Sequence, residues 1–445
     1  MPSRERVHWM RPVELAWRTR GSLRNGDGGT ALRRITHGKT TAAGLRVRDQ
    51  HTLILLEPAL VGELLVDHAS TSTKGPGLQL TRPLLGNGLL TSEGEEHRRA
   101  RRLVAPAFSP RRLAGYVDIF GERTRAHIDR WRDADTVDMY DQMGALTLDI
   151  VGQSLLGLDL TSDTSGIRTA LEAGLTRFAQ IGFPLSPGRS AAALADAENL
   201  PELEAVHRVV DSIIDSRQGS VSADRGDVVS ALLAATEGPD GLTMEEVHDN
   251  VVTLLMAGHE TTANALSWTF HLLGQHPDAE KALHQEVDSL EGRPPKMDDL
   301  PRLTYTRAIA SEAIRLYPPA WVMGRTITRD ADFGQWHVPA GSTVAASPLL
   351  MQHDARWFPD PELFDPGRWL DERREAVPRF AYLPFGTGPR SCIGEQFAWA
   401  EATTVLATVA ARWTAQTVPG HTVVPQFRVT LRPGNGVPMR LTARA

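Results

Sequence analysis

One cysteine stands in the chain of 445 residues, and its neighbours are unusual for an inert thiol. The run reads Phe385-Gly386-Thr387-Gly388-Pro389-Arg390-Ser391-Cys392-Ile393-Gly394. Its glycines let backbone amides approach the sulfur. The cysteine is expected to open a helix running to about Arg412, whose dipole favours a thiolate. Phe385 and Ile393 supply an apolar wall. Together these features suit a thiolate that ligates a metal, with hydrogen bonds tuning its donor strength. With no second cysteine, the chain has no intramolecular disulfide and no all-cysteine zinc or iron–sulfur site. A dinucleotide reading of Gly386-x-Gly388 fails, because Ser391 stands where the third glycine belongs and no βαβ unit surrounds it. A cysteine nucleophile fails for want of a histidine near the loop.

A second chemical group is Ala257-Gly258-His259-Glu260-Thr261-Thr262, inside an apolar helical stretch. A threonine in a buried helix bonds its i−4 carbonyl. A buried glutamate needs a partner or a raised pKa. Beside a glycine that permits local opening, such an acid–alcohol pair can hold water and relay protons. His259 reads as a satisfied polar residue. Glu312 and Arg315, three apart, share a helix face, and alone they read as a surface salt bridge. His97 and Arg101, four apart, also share a face. They lie near Arg98, Arg99 and Arg102, which read as solvated, and Arg111 and Arg112 complete the basic cluster.

The elements that must hold these groups are mainly helical. Periodicity predicts helices over Pro58–His68, Glu95–Ala105, Leu113–Trp131, Tyr140–Leu156, Ile167–Ile181, Glu202–Arg217, Asp278–Leu290 and Thr304–Leu316. The clearest is Met244–His276, which opens on a Thr243/Glu246 capping-box spacing and stops at Pro277. Short strands fit Gly44–Arg48, Leu53–Leu56, Val322–Ile327 and Thr343–Ala346. Residues 71–90 read as a long loop, and residues 427–442 as a terminal hairpin. The apolar stretch Val7–Trp17 reads as a helix packed on the body. The fold class is mainly α with a minor β region.

The cysteine loop resembles the haem loop of the cytochrome P-450 family, Phe-x-x-Gly-x-Arg-x-Cys-x-Gly, in full. Three further motifs follow the family in the correct order, and the resemblance runs from about residue 45 to the end. It implies a cytochrome P-450 fold with haem b (iron protoporphyrin IX) and Cys392 as the axial iron ligand. Phe385, Gly388, Arg390 and Gly394 would form the loop against the haem, with Ala257 and Gly258 on its other face. Glu260 and Thr261 would take the two roles of the oxygen-activation motif. His97, Arg101, Arg325 and Arg390 would face the propionates. Glu312, Arg315 and Arg368 would form a structural triad, Arg368 coming from Phe364-Asp365-Pro366-Gly367-Arg368-Trp369. The family often has an acid where Gly367 stands, and the proline-rich entry segment is reduced here to Pro2 and Pro12. Residues 31–445 are therefore expected to form one haem domain, with the docking of residues 1–30 left open.

Composition agrees with a globular enzyme: 41% hydrophobic, 23% charged and a net charge of −6 exclude a disordered chain. Basic residues are mostly interleaved with acids, so nucleic acid is not an expected partner. No run of about 18 apolar residues appears, so no transmembrane anchor is expected. Residues 1–30 hold no signal-peptide pattern, and a cytoplasmic location is expected. The chain carries no flavin, iron–sulfur or dinucleotide motif, so the resemblance implies a separate ferredoxin and ferredoxin reductase. The expected reaction is insertion of one oxygen atom from O2 into an apolar small molecule. A terpenoid is favoured, then a polyketide or fatty acid. The alternatives are oxidative coupling, desaturation, peroxide-driven oxygenation, or a catalytically silent haem module. The apolar lining is expected from Leu84, Leu89, Phe178, Phe183, Leu254, Trp321, Val322 and Met323.

Overall fold

The computed structural model describes residues 9–10, 14, 22, 27–47, 50–79, 81–158, 201–218 and 226–444. The helices that matter for the site are α1 (Gly28–Thr36), α2 (Gly94–Val104), α3 (Pro110–Ile128), α4 (Met139–Leu156), α5 (Pro201–Gln218), α6 (Met244–Leu273), α7 (Thr304–Leu316) and α8 (Glu395–Ala410). Helix α6 is the axis of the molecule. Its 30 residues begin at a complete capping box: Glu246 N donates to Thr243 Oγ1 at 3.1 Å, and Thr243 N donates to Glu246 Oε2 at 2.8 Å. At 1.5 Å per residue it spans about 45 Å. Residues 251–256 are buried on every face.

Helix α4 lies along α6. A Cβ on Gly258 would stand 3.3 Å from Val151 Cγ2, so the glycine sets how closely the two helices approach. Helix α8 packs on α3 through Phe397, whose ring meets Phe120 edge-on at 4.7 Å and Tyr116 at 5.5 Å.

Six strands form the main sheet: β1 (Trp9–Met10), β2 (Ala42–Val47), β3 (Gln50–Leu55), β4 (Ser72–Lys74), β5 (Met323–Ile327) and β6 (Thr343–Ala346). Their order is β1-β2-β3-β6-β5-β4. The β1/β2 and β3/β6 pairs are parallel and the others antiparallel. Both faces are covered. Leu53 and Leu55 join one core cluster with Phe333 and Phe358, while Ile54 and Leu56 join another with Met10, Leu32 and Leu45. The two-residue period of the strand assigns each side chain to its layer. The remaining core is helical and surrounds α6.

Several expectations are corrected. Helix α8 starts at Glu395, three residues after Cys392, because the loop turns through Gly388–Arg390 before Gly394 caps the helix. Residues 71–90 are not one loop. Ser72–Lys74 pairs antiparallel with β5, and short helical turns follow at Pro76–Gln79 and Arg82–Leu85. Gly86, at φ +57, and Gly88 fit tightly against Asp249 and Thr253 of α6. Asn87 N and Leu89 N donate to Asp249 and Asn250 at 2.6 and 3.0 Å. The terminal segment is two structures: Pro425–Phe427 pairs with Leu431–Pro433, while Pro438–Ala443 pairs with Trp413–Thr417. Alternation identified the strands without their partners. The Val7–Trp17 stretch contributes a strand, Trp9–Met10, rather than a helix at those two residues. The expected helix Ile167–Ile181 lies outside the described residues.

Candidate active site

The cysteine loop is held by backbone. Cys392 N donates to Phe385 O at 2.9 Å. Gly386 and Gly388 adopt φ +65 and +74, and a Cβ on Gly388 would collide with Leu65 O. Behind the loop, Phe385 meets Trp399 of α8 edge-on at 5.2 Å. Both cluster with Ala265 of α6. Cys392 is a free thiol with open surface, yet burial pushes it above the ordinary value. The hydrogen bond from the Gly394 amide opposes that shift, and so does the charge of Arg101. Open surface on an enclosed group means that Cys392 faces a cleft within the fold.

The cysteine loop adjoins α6 through Ala265, which clusters with Phe385. Ala257, Gly258 and Thr261 are half-buried, while His259, Glu260 and Thr262 are buried. Residues 257, 261 and 265 share one helical face, and Ala265 touches the Phe385 cluster. The open stripe therefore looks toward the cysteine loop. Thr261 Oγ1 donates to Ala257 O at 2.7 Å, the expected i−4 bond. Glu260 Oε1 accepts from Thr430 Oγ1 at 2.7 Å. His259 turns away, its Nε2 3.0 Å from Gly144 O. Thr262 reaches Glu401 of α8, a fully buried acid. Burial raises Glu401 well above the ordinary carboxylate value, with the nearby Thr262 hydroxyl opposing the shift.

One end of the cleft collects basic groups. Arg101 Nη1 donates to Ser391 O at 2.7 Å. Arg390 pairs with Glu93. Arg325 is buried, and its guanidinium is pushed down to about 10 by burial and then by Arg390. Lys74 was not anticipated. Its Nζ donates to the carbonyls of Leu89 and Ser92 at 2.8 and 2.7 Å, and burial, then Arg390, lower it to about 7. His97 is lowered to about 3 by burial and then by the charges of Lys74 and Arg390, which favours its neutral form. Lys74, Arg325 and Arg390 thus gather around Glu93, and Arg101 lies beside His97 and Ser391. Such an excess of buried positive charge is built for an anion. Arg99 is not a solvated residue. It pairs with Glu246 and donates to Gly241 O at 2.6 Å, because α2 lies against the start of α6.

Glu312, Arg315 and Arg368 form a buried unit at 0%, 0% and 5% exposure, not a surface pair. Arg315 Nε and Nη2 both donate to Glu312 at 2.8 Å, and Arg368 Nε lies 3.4 Å from it. Trp369 Nε1 adds a donor at 2.8 Å. Arg315 also donates to the carbonyls of Gln352, Pro361 and Leu363 at 2.8, 2.7 and 3.0 Å. One guanidinium therefore pins the irregular segment that leads to the cysteine loop.

A family model described as Cytochrome P450 matches residues 36–437. The chain belongs to the cytochrome P450 family. Relatives include cyclooctatin synthase of Streptomyces melanosporofaciens, 40% identical, covering 89% of this chain and 87% of the relative. A second from that organism, cyclooctat-9-en-7-ol 5-monooxygenase, is 38% identical over 85% and 83% of the two chains. Pentalenene oxygenase of Streptomyces avermitilis is 35% identical over 90% of each. Among solved structures, the heme domain of cytochrome P450DA superposes with a TM-score of 0.81, at 26% identity, covering 93% of this chain and 91% of that one. The P450 is an oxidoreductase whose cofactor is haem b. The residues fit that group: a lone thiolate candidate in the cleft, a half-open small-residue stripe opposite, and buried cations for two carboxylates. No helix among the described residues is long and apolar enough to cross a membrane.

The expected substrate lining divides. Val322 and Met323 are half-buried, and Met323 Sδ would lie 3.6 Å from a Cβ on Gly386, beside the cysteine loop. Leu84, Leu89 and Leu254 are buried in the helical core around α6. Trp321 is corrected: it is 2% exposed and packs with Met10, Leu32 and Leu431, its ring 5.3 Å from Phe427. Phe178 and Phe183 lie outside the described residues. Sequence reasoning missed Lys74, Glu93, Glu401 and Thr430. Only Glu401 carried a local signal, an acid within an otherwise apolar helical run.

Proposed function

We propose that this P450 inserts one oxygen atom from O2 into a terpenoid, with Cys392 as the residue that would hold the haem iron and electrons from a separate ferredoxin and its reductase. Haem, when bound, would supply the oxygen-activating chemistry, which electron donation from a thiolate favours. The carrying observation is the half-open Ala257–Gly258–Thr261 stripe, flanked by the buried acid Glu260. Thr261 presents a hydroxyl at the cleft and can hold water there, and Glu260 supplies a proton from the adjoining turn. Arg101, Arg325, Arg390 and Lys74 bind and orient the propionates, with neutral His97 as a hydrogen-bonding partner. Arg315 and Glu312 keep the cysteine loop in register. A terpenoid is supported by the relatives, whose names give pentalenene and cyclooctat-9-en-7-ol as compounds oxygenated. The half-buried Val322 and Met323 offer such a skeleton an apolar contact.

Two measurements test this. Thr261→Ala is expected to consume NADPH with much less product, by roughly tenfold or more if the hydroxyl carries the proton relay. Full coupling in that variant removes Thr261 from the relay. A spin-state titration with pentalenene, lauric acid and a macrolide should favour pentalenene; a shift with lauric acid alone overturns the substrate class.

A further inference from the structure

Thr430 lies at the tip of the C-terminal hairpin, 170 residues from Glu260 in sequence, yet its hydroxyl touches that carboxylate at 2.7 Å. Asn264, one turn after Glu260 on α6, donates its Nδ2 to Thr430 Oγ1 at 3.0 Å. The three residues are 6%, 8% and 0% exposed for Thr430, Glu260 and Asn264. A threonine hydroxyl has one proton. Because its oxygen already accepts from the Asn264 amide, the chain has one direction: amide to hydroxyl to carboxylate. A donor aimed at a carboxylate favours its charged form and fixes its rotamer.

The hairpin tip is itself fixed. Leu431 N donates to Pro319 O at 3.0 Å, Trp268 Nε1 lies 3.3 Å from Leu431 O, and Trp321 Nε1 donates to Arg428 O at 2.8 Å. Trp268 belongs to α6, so one of these bonds ties the hairpin to the helix bearing Glu260. Adjacent helical residues point about 100° apart. Thr430 gives Glu260 an anchor outside the helix that carries it.

We infer that Thr430 is a positioning residue, holding the Glu260 carboxylate in one rotamer so that it can relay protons toward Thr261. This rests on the roles proposed above for Glu260 and Thr261. The effect expected from losing one charge-assisted hydrogen bond is a fall of roughly three- to tenfold in product formed per NADPH.

The test uses the haem-loaded full chain, with pentalenene as probe substrate and a surrogate ferredoxin and reductase. Thr430→Val should lower coupling while Thr430→Ser restores it, and turnover driven by hydrogen peroxide should change less than NADPH-driven turnover. Infrared difference spectra give a readout independent of turnover. The Glu260 carboxylate band, assigned by its loss in Glu260→Gln, should move in Thr430→Val and stay in place in Thr430→Ser. If Thr430→Val does not fold, Thr430→Ala reads the same two quantities. An unmoved band, or wild-type coupling, overturns the role of Thr430. If Thr261→Ala is fully coupled, the underlying reading fails instead, whatever Thr430 variants do.

Discussion

At the residue scale, Lys74 links burial, charge and cofactor. Its ammonium is buried beside Arg325 and Arg390, and its value of about 7 lies below the ordinary 10.5. Between these two values the unfolded chain binds more protons than the folded one. Stability of the haem-free protein on this account rises with pH from about 7 to 10.5 and is flat below about 7, where the lysine is charged in both states. A dianionic partner reverses the local field and draws the proton back onto Nζ. Haem affinity is therefore expected to weaken as pH climbs through 7 toward 10. Lys74→Met should flatten that dependence and release haem faster at neutral pH, measured as haem transfer to apomyoglobin. A Lys74→Met profile parallel to that of the native chain would mean the lysine does not sense the propionates. Nothing near Lys74 in the sequence announces this role, because two of the cations that depress it come from positions 325 and 390.

At the scale of elements, the Glu312 unit shows what local spacing conveys and what it omits. Three-residue separation on a helix places Glu312 and Arg315 on one face, and it says nothing about burial. The second arginine and three carbonyls arrive from a segment some fifty residues onward. Removing one partner from such a buried pair costs about 3–5 kcal/mol. Glu312→Gln is expected to lose that much in chemical denaturation and to purify with depleted haem; a loss under about 1 kcal/mol would match a surface pair instead. Much of the rest was legible. The Thr243/Glu246 box gave the start of α6, and the apolar residues 251–256 gave its burial. The ten-residue loop pattern singled out Cys392. What escaped was long-range by nature. Residues 438–443 showed strand alternation but not their pairing with Trp413–Thr417. Arg99 looked solvated until Glu246 was found beside it. Thr430 had no signal at all, since a threonine in a turn is ordinary.

At the scale of the whole molecule, charge is unevenly spread. The chain carries a net charge of −6, yet α2 exposes Arg98 and Arg102 next to Arg101, which touches the cysteine loop, and Arg111 is exposed at the start of α3. An acidic electron donor would be steered to that face. Arg102→Glu is expected to slow reduction by ferredoxin at low ionic strength, with the difference vanishing toward 1 M salt, where the Debye length shrinks to about 3 Å. Equal reduction rates at all ionic strengths would place the docking face elsewhere. The same geometry has a consequence in time. Arg101 and Ser391 touch across 290 positions of chain, and Glu93 meets Arg390 across 297. A ribosome adding about 5–20 residues per second needs roughly 15–60 s to pass from the first half of the cradle to the second. During that interval Lys74, Glu93 and Arg101 exist without the loop that carries the thiol. Cofactor loading is thus scheduled after nearly all of these residues have been made, and the supply of haem has to coincide with completed chains rather than growing ones.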